Sequence, residues 1–165
     1  MSDLIKQWEN KKAASKKKHK QFVSRLKELH GKHLDRWAEG LHNEVFRSID
    51  CMDCANCCST IPAMINEEDI IRIAKHLKMT PEAFHSKYVA KDEDGDTVLK
   101  TTPCVFLEAD NSCGIYEIRP RSCRQYPHTN NFEFSKTLTV HAANSMYCPA
   151  VFHILERMRQ NFPVV

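Results

Sequence analysis

Residues 51–58 read Cys-Met-Asp-Cys-Ala-Asn-Cys-Cys, and no other feature of the chain restricts its fold as strongly. Two residues between cysteines let both thiolates reach one ion while the backbone turns around it. A single Cys-x-x-Cys pair would equally serve a thioredoxin-like redox site. Here two such units overlap, an extra cysteine follows, and Cys104, Cys113, Cys123 and Cys148 lie further on. A redox pair would leave six of these eight thiols without a role. The adjacent Cys57 and Cys58 point to opposite sides of an extended backbone, which directs them to different metals or to different parts of one site. Eight thiols suffice for two four-ligand sites. The expectation is therefore two metals or one polynuclear centre, with Cys51, Cys54, Cys57 and Cys58 closed by Cys104, Cys113, Cys123 and Cys148. Such closure would staple a region with a modest core.

Redox compartment decides between metal and disulfide. The first ten residues lack the apolar stretch and small-residue cleavage site of a signal peptide. No run of apolar residues is long enough to span a membrane. A cytosolic location is expected, with no membrane association, and there reduced thiols favour metal binding over disulfides. An export route would reopen the disulfide reading, because the cysteine count is even. Tetrahedral thiolate sites suit zinc and iron–sulfur clusters alike, so the metal is zinc or iron. Cys51–Cys57 and the Cys148-Pro149 pair echo bacterial ferredoxin ligation, but some ninety residues separate them.

Charge divides the chain. Residues 1–50 carry twelve Lys/Arg against seven Asp/Glu, whereas the remainder carries twelve against fourteen. Eight basic residues and no acidic ones fall between Lys11 and Lys27. We expect residues 1–47 to form a basic amphipathic helical arm, with Phe22, Leu26, Leu29, His33, Trp37, Leu41 and Val45 along one face. That stripe is expected to cover the cysteine domain, a second copy of the chain or a protein partner. The competing assignment, nucleic-acid contact by Lys11–Lys20, is disfavoured because the run lacks interleaved aromatics for base stacking.

Residues 48–165 are expected to form a small, irregular α+β domain organised by metal. Asn66 caps a helix with acids in its first turn, and Thr80-Pro81 starts another that carries Phe84 and Tyr88. Asp92–Asp96 reads as a solvated acidic turn, since calcium-loop spacing is missing. Thr97–Lys100 and Val105–Leu107 read as hairpin strands. Arg119-Pro120 opens a short helical turn, residues 132–140 have weak strand character, and Cys148-Pro149 leads into a C-terminal helix.

The chain from about residue 48 to 160 resembles the YkgJ-type cysteine-cluster family, whose domain is described as zinc- or iron-chelating. The resemblance rests on Cys51–Cys58, Asp69-Ile70, the Phe84…Tyr88 helix, Pro103–Leu107, Cys113–Glu117, Arg119-Pro120, Cys123–Pro127 and Cys148. It implies metal binding through all eight cysteines. Relatives often have glycine where this chain has Ala55-Asn56, and Asn56 tolerates similar backbone angles. A similar domain in flagellin lysine methylases makes a protein-modifying enzyme, or an iron–sulfur redox protein, the alternative function. No glycine-rich cofactor loop supports the enzyme independently.

Other candidates have plainer readings. Arg119, Arg121 and Arg124 are expected to donate hydrogen bonds to thiolates. Tyr116 and Tyr126 are expected in the core with bonded hydroxyls. His128 and His141 are nearest the cysteines but are not needed as ligands beside eight thiols.

Overall fold

A computed structural model describes residues 2–28, 31–130 and 133–162. In chain order the elements are α1 (Asp3–Leu26), α2 (Gly31–Val45), α3 (Cys51–Cys54), α4 (Asn56–Thr60), α5 (Glu67–His76), α6 (Pro81–Tyr88), β1 (Val89–Lys91), β2 (Thr97–Leu99), α7 (Arg121–Gln125), α8 (Leu138–Asn144) and α9 (Pro149–Gln160). The fold is α+β and mostly helical, with one two-stranded antiparallel sheet. Its contacts form two compact units, Met1–Cys54 with Pro127–Val165, and Ala55–Tyr126.

In the first unit, α1 buries Ile5, Trp8, Ser15, His19, Phe22, Val23 and Leu26, a set that falls along one face of the helix. The basic arm is thus two helices, α1 and α2, rather than one. Of the expected stripe, Phe22, Leu26 and Val45 are buried, and Trp37 and Leu41 pack against the same core. His33 faces solvent instead, because Leu34 and Ala38 take the inner positions of α2. Leu29 lies outside the described residues. The partners of the stripe are Leu138 of α8 and Val151, Ile154, Leu155 and Met158 of α9. The chain's own C-terminal helices therefore cover the apolar face of the arm.

The strand character read at residues 132–140 is not realised. Phe134–Lys136 form a 3-10 turn and α8 follows it. Phe134, Leu138 and Ala142, at helical spacing, all enter the core, so the 3.6-residue period wins over the alternating one. Phe132 lies outside the described residues. At the start of α2, a Cβ on Gly31 would meet Ser135 Oγ at 2.8 Å. The missing side chain admits that close approach, and Asp35 accepts a hydrogen bond from the Ser135 amide at 2.8 Å.

A polar staple crosses this unit. Trp8 Nε1 donates to the Ser145 carbonyl at 2.9 Å, His19 Nδ1 meets Ser145 Oγ at 2.9 Å, and His19 Nε2 meets Glu156 at 2.8 Å. Serine, histidine and glutamate are the residue types of a hydrolytic triad. However, His19 and Ser145 are 0% and 1% exposed, so a substrate has no route to them. The network satisfies buried polar groups and joins α1 to α8 and α9.

In the second unit the core comprises Ile65, Ile70, Ile73, Phe84, Val89, Leu99, Phe106 and Ile115. Asn66 and Asp69 form a reciprocal capping box on α5, while Thr80 caps α6 with Pro81 in its first turn, both as expected. β2 pairs with β1 rather than with residues 105–107, in the register Val89↔Leu99, Ala90↔Val98 and Lys91↔Thr97. The acidic turn is the hairpin turn. Asp92 Oδ1 accepts from the amides of Asp94 and Asp96 at 3.1 and 2.8 Å, and Gly95 takes φ +85°. Residues 105–107 contribute one isolated bridge, Leu107 to Cys113. Among the described residues no helix is long and apolar enough to cross a membrane.

Burial holds His141 neutral, its pKa lowered to about 4, with the nearby His128 acting in the same direction. The unfolded chain takes up that proton near pH 6.5, so stability is lost as pH falls from about 6.5 towards 4. The shift corresponds to about 3 kcal/mol at the acid end. Urea denaturation at pH 7 and pH 5 should show the decline, and His141→Leu should make it shallower, with the remainder owed to the other burial-lowered histidines His19, His42, His128 and His153.

Candidate metal centre

Cys58, Cys104, Cys113 and Cys123 come from four segments of the second unit and lie close enough to act on one another electrostatically. The Cys104 amide donates to the Cys58 carbonyl at 2.8 Å, fixing those two segments together. Cys104 and Cys113 rest against the unit's apolar core. Gly114 N–H donates to the Phe106 carbonyl at 2.9 Å, closing the loop from Cys104 to Cys113. Cys123 sits inside α7.

Burial sets the thiol chemistry. It pushes Cys123 up to about 11, and the negative charge that Cys58, Cys104 and Cys113 would carry adds to the rise. Cys104 and Cys113 are raised for the same first reason. Opposing this, the amides of Phe106 and Leu107 stabilise the Cys104 thiolate, the amide of Ile115 stabilises that of Cys113, and Arg119 adds favourable charge at Cys113. Cys58 is the exception: a hydrogen bond from Cys57 lowers it to about 7. Cys57 and Cys58 both belong to α4, so they are neighbours in a helix rather than opposite faces of extended chain.

The first unit holds Cys51, Cys54 and Cys148. Cys51 and Cys54 open and close α3, whose entry is tied by Asp50 accepting from the Met52 amide at 2.8 Å. Cys148 precedes α9 and is pushed up to about 12 by burial, with Cys51 and Cys54 near enough to add to the shift. The amides of Val151 and Ala150 act in the opposite direction. Cys54 packs beside the small cluster of Ile5, Trp8 and Phe152. The left-handed turn after α3 falls on Ala55, at φ 44°, not on Asn56.

All eight cysteines are present as thiols, a donor set that suits zinc, iron or an iron–sulfur cluster. Among the described residues, no three His, Cys, Asp or Glu side chains already converge as a closed ligand shell. The thiols of each unit are thus gathered by the backbone and electrostatically coupled, while their side chains are not drawn to ligand distance.

Tyr116 is 54% exposed rather than a core residue, with the Arg119 guanidinium 3.8 Å from its ring centroid. His141 is a core histidine, hydrogen-bonded to Thr137 at 3.0 Å and stacked on Phe134. Arg119 acts on Cys113 through its charge, while its guanidinium donates to the Tyr116 carbonyl at 2.7 Å rather than to a thiolate, and the contact made by Arg121 is through its backbone, to Asp69.

That contact exposes a positioning residue that sequence reasoning did not reveal. Asp69, 2% exposed, accepts from Arg72 at 2.6 Å and from the Arg121 amide at 3.2 Å on both carboxylate oxygens. Arg72 also donates to the carbonyl of Arg119 at 3.1 Å. One carboxylate therefore caps α5 and anchors the segment leading into Cys123. The pattern Asn66-x-x-Asp69 signals only the cap, because the second role depends on a residue 52 positions away.

A family profile described as "CxxCxxCC: Putative zinc- or iron-chelating domain" matches residues 50–148. The chain belongs to this CxxCxxCC family. The match begins one residue before Cys51, ends on Cys148 and encloses all eight cysteines. Comparison with curated proteins and with solved structures gave no match. The family description supports metal binding, and the basic helix α1 lies outside the matched residues.

In metal-free protein near pH 7.5, Cys58 should be alkylated before Cys104, Cys113 or Cys123, and Cys57→Ala should slow its reaction by raising its pKa. Peptide mapping of iodoacetamide adducts reads both. Asp69→Ala should cost about 2 kcal/mol, because it strands the Arg121 amide and removes one partner of the Arg72 guanidinium together with the reciprocal cap on α5. Denaturant titration measures the loss, and metal retention should fall with it.

Proposed function

We propose that the protein is a metal-holding module that binds zinc or iron through cysteine thiolates in two places. Cys58, Cys104, Cys113 and Cys123 supply one four-thiolate set, with Cys57 beside it. Cys51, Cys54 and Cys148 supply a second set. The observation that carries this reading is the mutual electrostatic influence of Cys58, Cys104, Cys113 and Cys123, brought together from four segments. Amides of Phe106, Leu107 and Ile115 directed at these thiolates are the support a charged ligand set requires. When bound, the metal supplies the positive charge that makes deprotonation of raised, half-buried thiols favourable. The residues hold and orient it, and the reducing cytosol is the compartment in which such thiols stay available.

This assignment has a proton signature. Cys104, Cys113 and Cys123 are protonated at pH 7 without metal, and Cys58, at about 7, is divided between both forms. Loading this set should release about three to four protons per metal, measurable with an indicator dye in weak buffer. Affinity should accordingly drop steeply as pH falls. Elemental analysis after anaerobic purification should find stoichiometric zinc or iron, and acid-labile sulfide with visible absorbance would assign an iron–sulfur cluster. Cys104→Ser and Cys123→Ser should remove the same metal fraction, and Cys51→Ser and Cys148→Ser a different one. Full alkylation of all eight cysteines in native, metal-loaded protein would reject the assignment.

A further inference from the structure

We propose that the outer face of α1 is a binding surface for single-stranded nucleic acid, engaged through the phosphate backbone. This reverses the sequence-based expectation, and the reason is how α1 is packed. Its apolar face is consumed by the unit's own core, leaving Lys6, Lys11, Lys16, Lys17, Lys18, Lys20 and Lys27 exposed. Among the described residues none of these lysines takes part in an ion pair; the pairs present involve residues of α5, α9 and the turn at residues 133–136, with His19 and Glu44 as partners of α9. At about 100° per residue Lys16, Lys17, Lys20 and Lys27 share one side of the helix, and from Lys16 to Lys27 it rises about 16 Å, which matches about five phosphates at the roughly 3.4 Å spacing of stacked nucleotides.

On the flank beside this row lies a cleft of about 380 Å³ lined by Lys18, Gln21, Phe22, Arg25, Arg159 and Phe162. Arg159 is held in place by Glu156 at 2.8 Å, and the Arg25 guanidinium lies 5.7 Å from the Phe162 ring centroid. Three cations around a partly exposed aromatic ring suit a phosphate with a base stacked beside it. The aromatic that the lysine run lacks in sequence is thus supplied by the C-terminal end of the unit.

Other polyanions fit less well. No large apolar residue of α1 is exposed, so the helix has no face to insert into a lipid surface. The same absence deprives an acidic protein of the buried anchors that dominate protein interfaces. Phosphate attraction needs none of these, and it remains strong with solvated lysines.

Fluorescence anisotropy with a labelled dT12 oligonucleotide tests the proposal on the full-length, metal-loaded protein. Log Kd should rise with log salt at about 0.7 per phosphate engaged. Lys16→Glu/Lys17→Glu/Lys20→Glu should weaken binding more than tenfold at low salt and flatten that slope by about 2. Circular dichroism and metal content of the variant should stay unchanged, because all three positions are exposed. If the charge reversals disturb folding, the Lys→Gln triple variant gives the same test with a smaller effect. Salt-independent binding, or binding unaffected by either variant, would overturn the proposal. So would equal or tighter binding of inorganic polyphosphate or phosphatidylserine vesicles in competition, since neither offers a base to the Phe162 cleft.

Discussion

Bringing four thiols from separate segments into one half-buried space is an electrostatic problem, and the second unit is arranged around it. Each thiolate penalises the next, and burial penalises all of them. The chain answers in part with amides of Phe106, Leu107 and Ile115 and with Arg119. These donors do not offset burial, since Cys104, Cys113 and Cys123 stay raised. In the assignment proposed above a divalent cation supplies the missing charge, and without it Cys104, Cys113 and Cys123 rest as neutral thiols.

Each unit relies on a buried carboxylate or histidine to hold distant segments together. Asp69 binds the start of α5 to the approach of α7, so the position of Cys123 depends on a group that never touches it. His19 plays the corresponding part in the first unit, between Ser145 and Glu156. In both cases the polar group is satisfied on several sides, the condition under which burial stabilises rather than penalises. Glu156 extends the second network outward, since it also orients Arg159 at the edge of the basic cleft. Internal packing and surface charge are thereby linked through one side chain.

Local physics made much of this legible. Capping at Asn66 and Thr80, proline at the first helical positions 81 and 149, and the turn at Asp92–Asp96 involve groups within a few residues. Elements set by a remote contact are not legible locally. Thr97–Leu99 pairs with Val89–Lys91 rather than with Val105–Leu107, a choice set by the hairpin turn that joins them. Phe134 and Leu138 fit either period, and only the core on which they dock selects the helical one. Tyr116, a core residue by type, lies at the surface with the Arg119 guanidinium over its ring.

The sequence by itself determined the chemistry: the soft donor set, its family, the capped helices and the basic character of residues 11–27. These follow from residue type and short spacing, which local geometry converts directly into structure. Tertiary structure alone decided which thiols share an environment, that Asp69 reaches the Cys123 segment, and that the C-terminal helices cover the arm. Thiol pKa values, buried hydrogen bonds and covered apolar faces depend on groups distant in the chain, and only folding sets those distances.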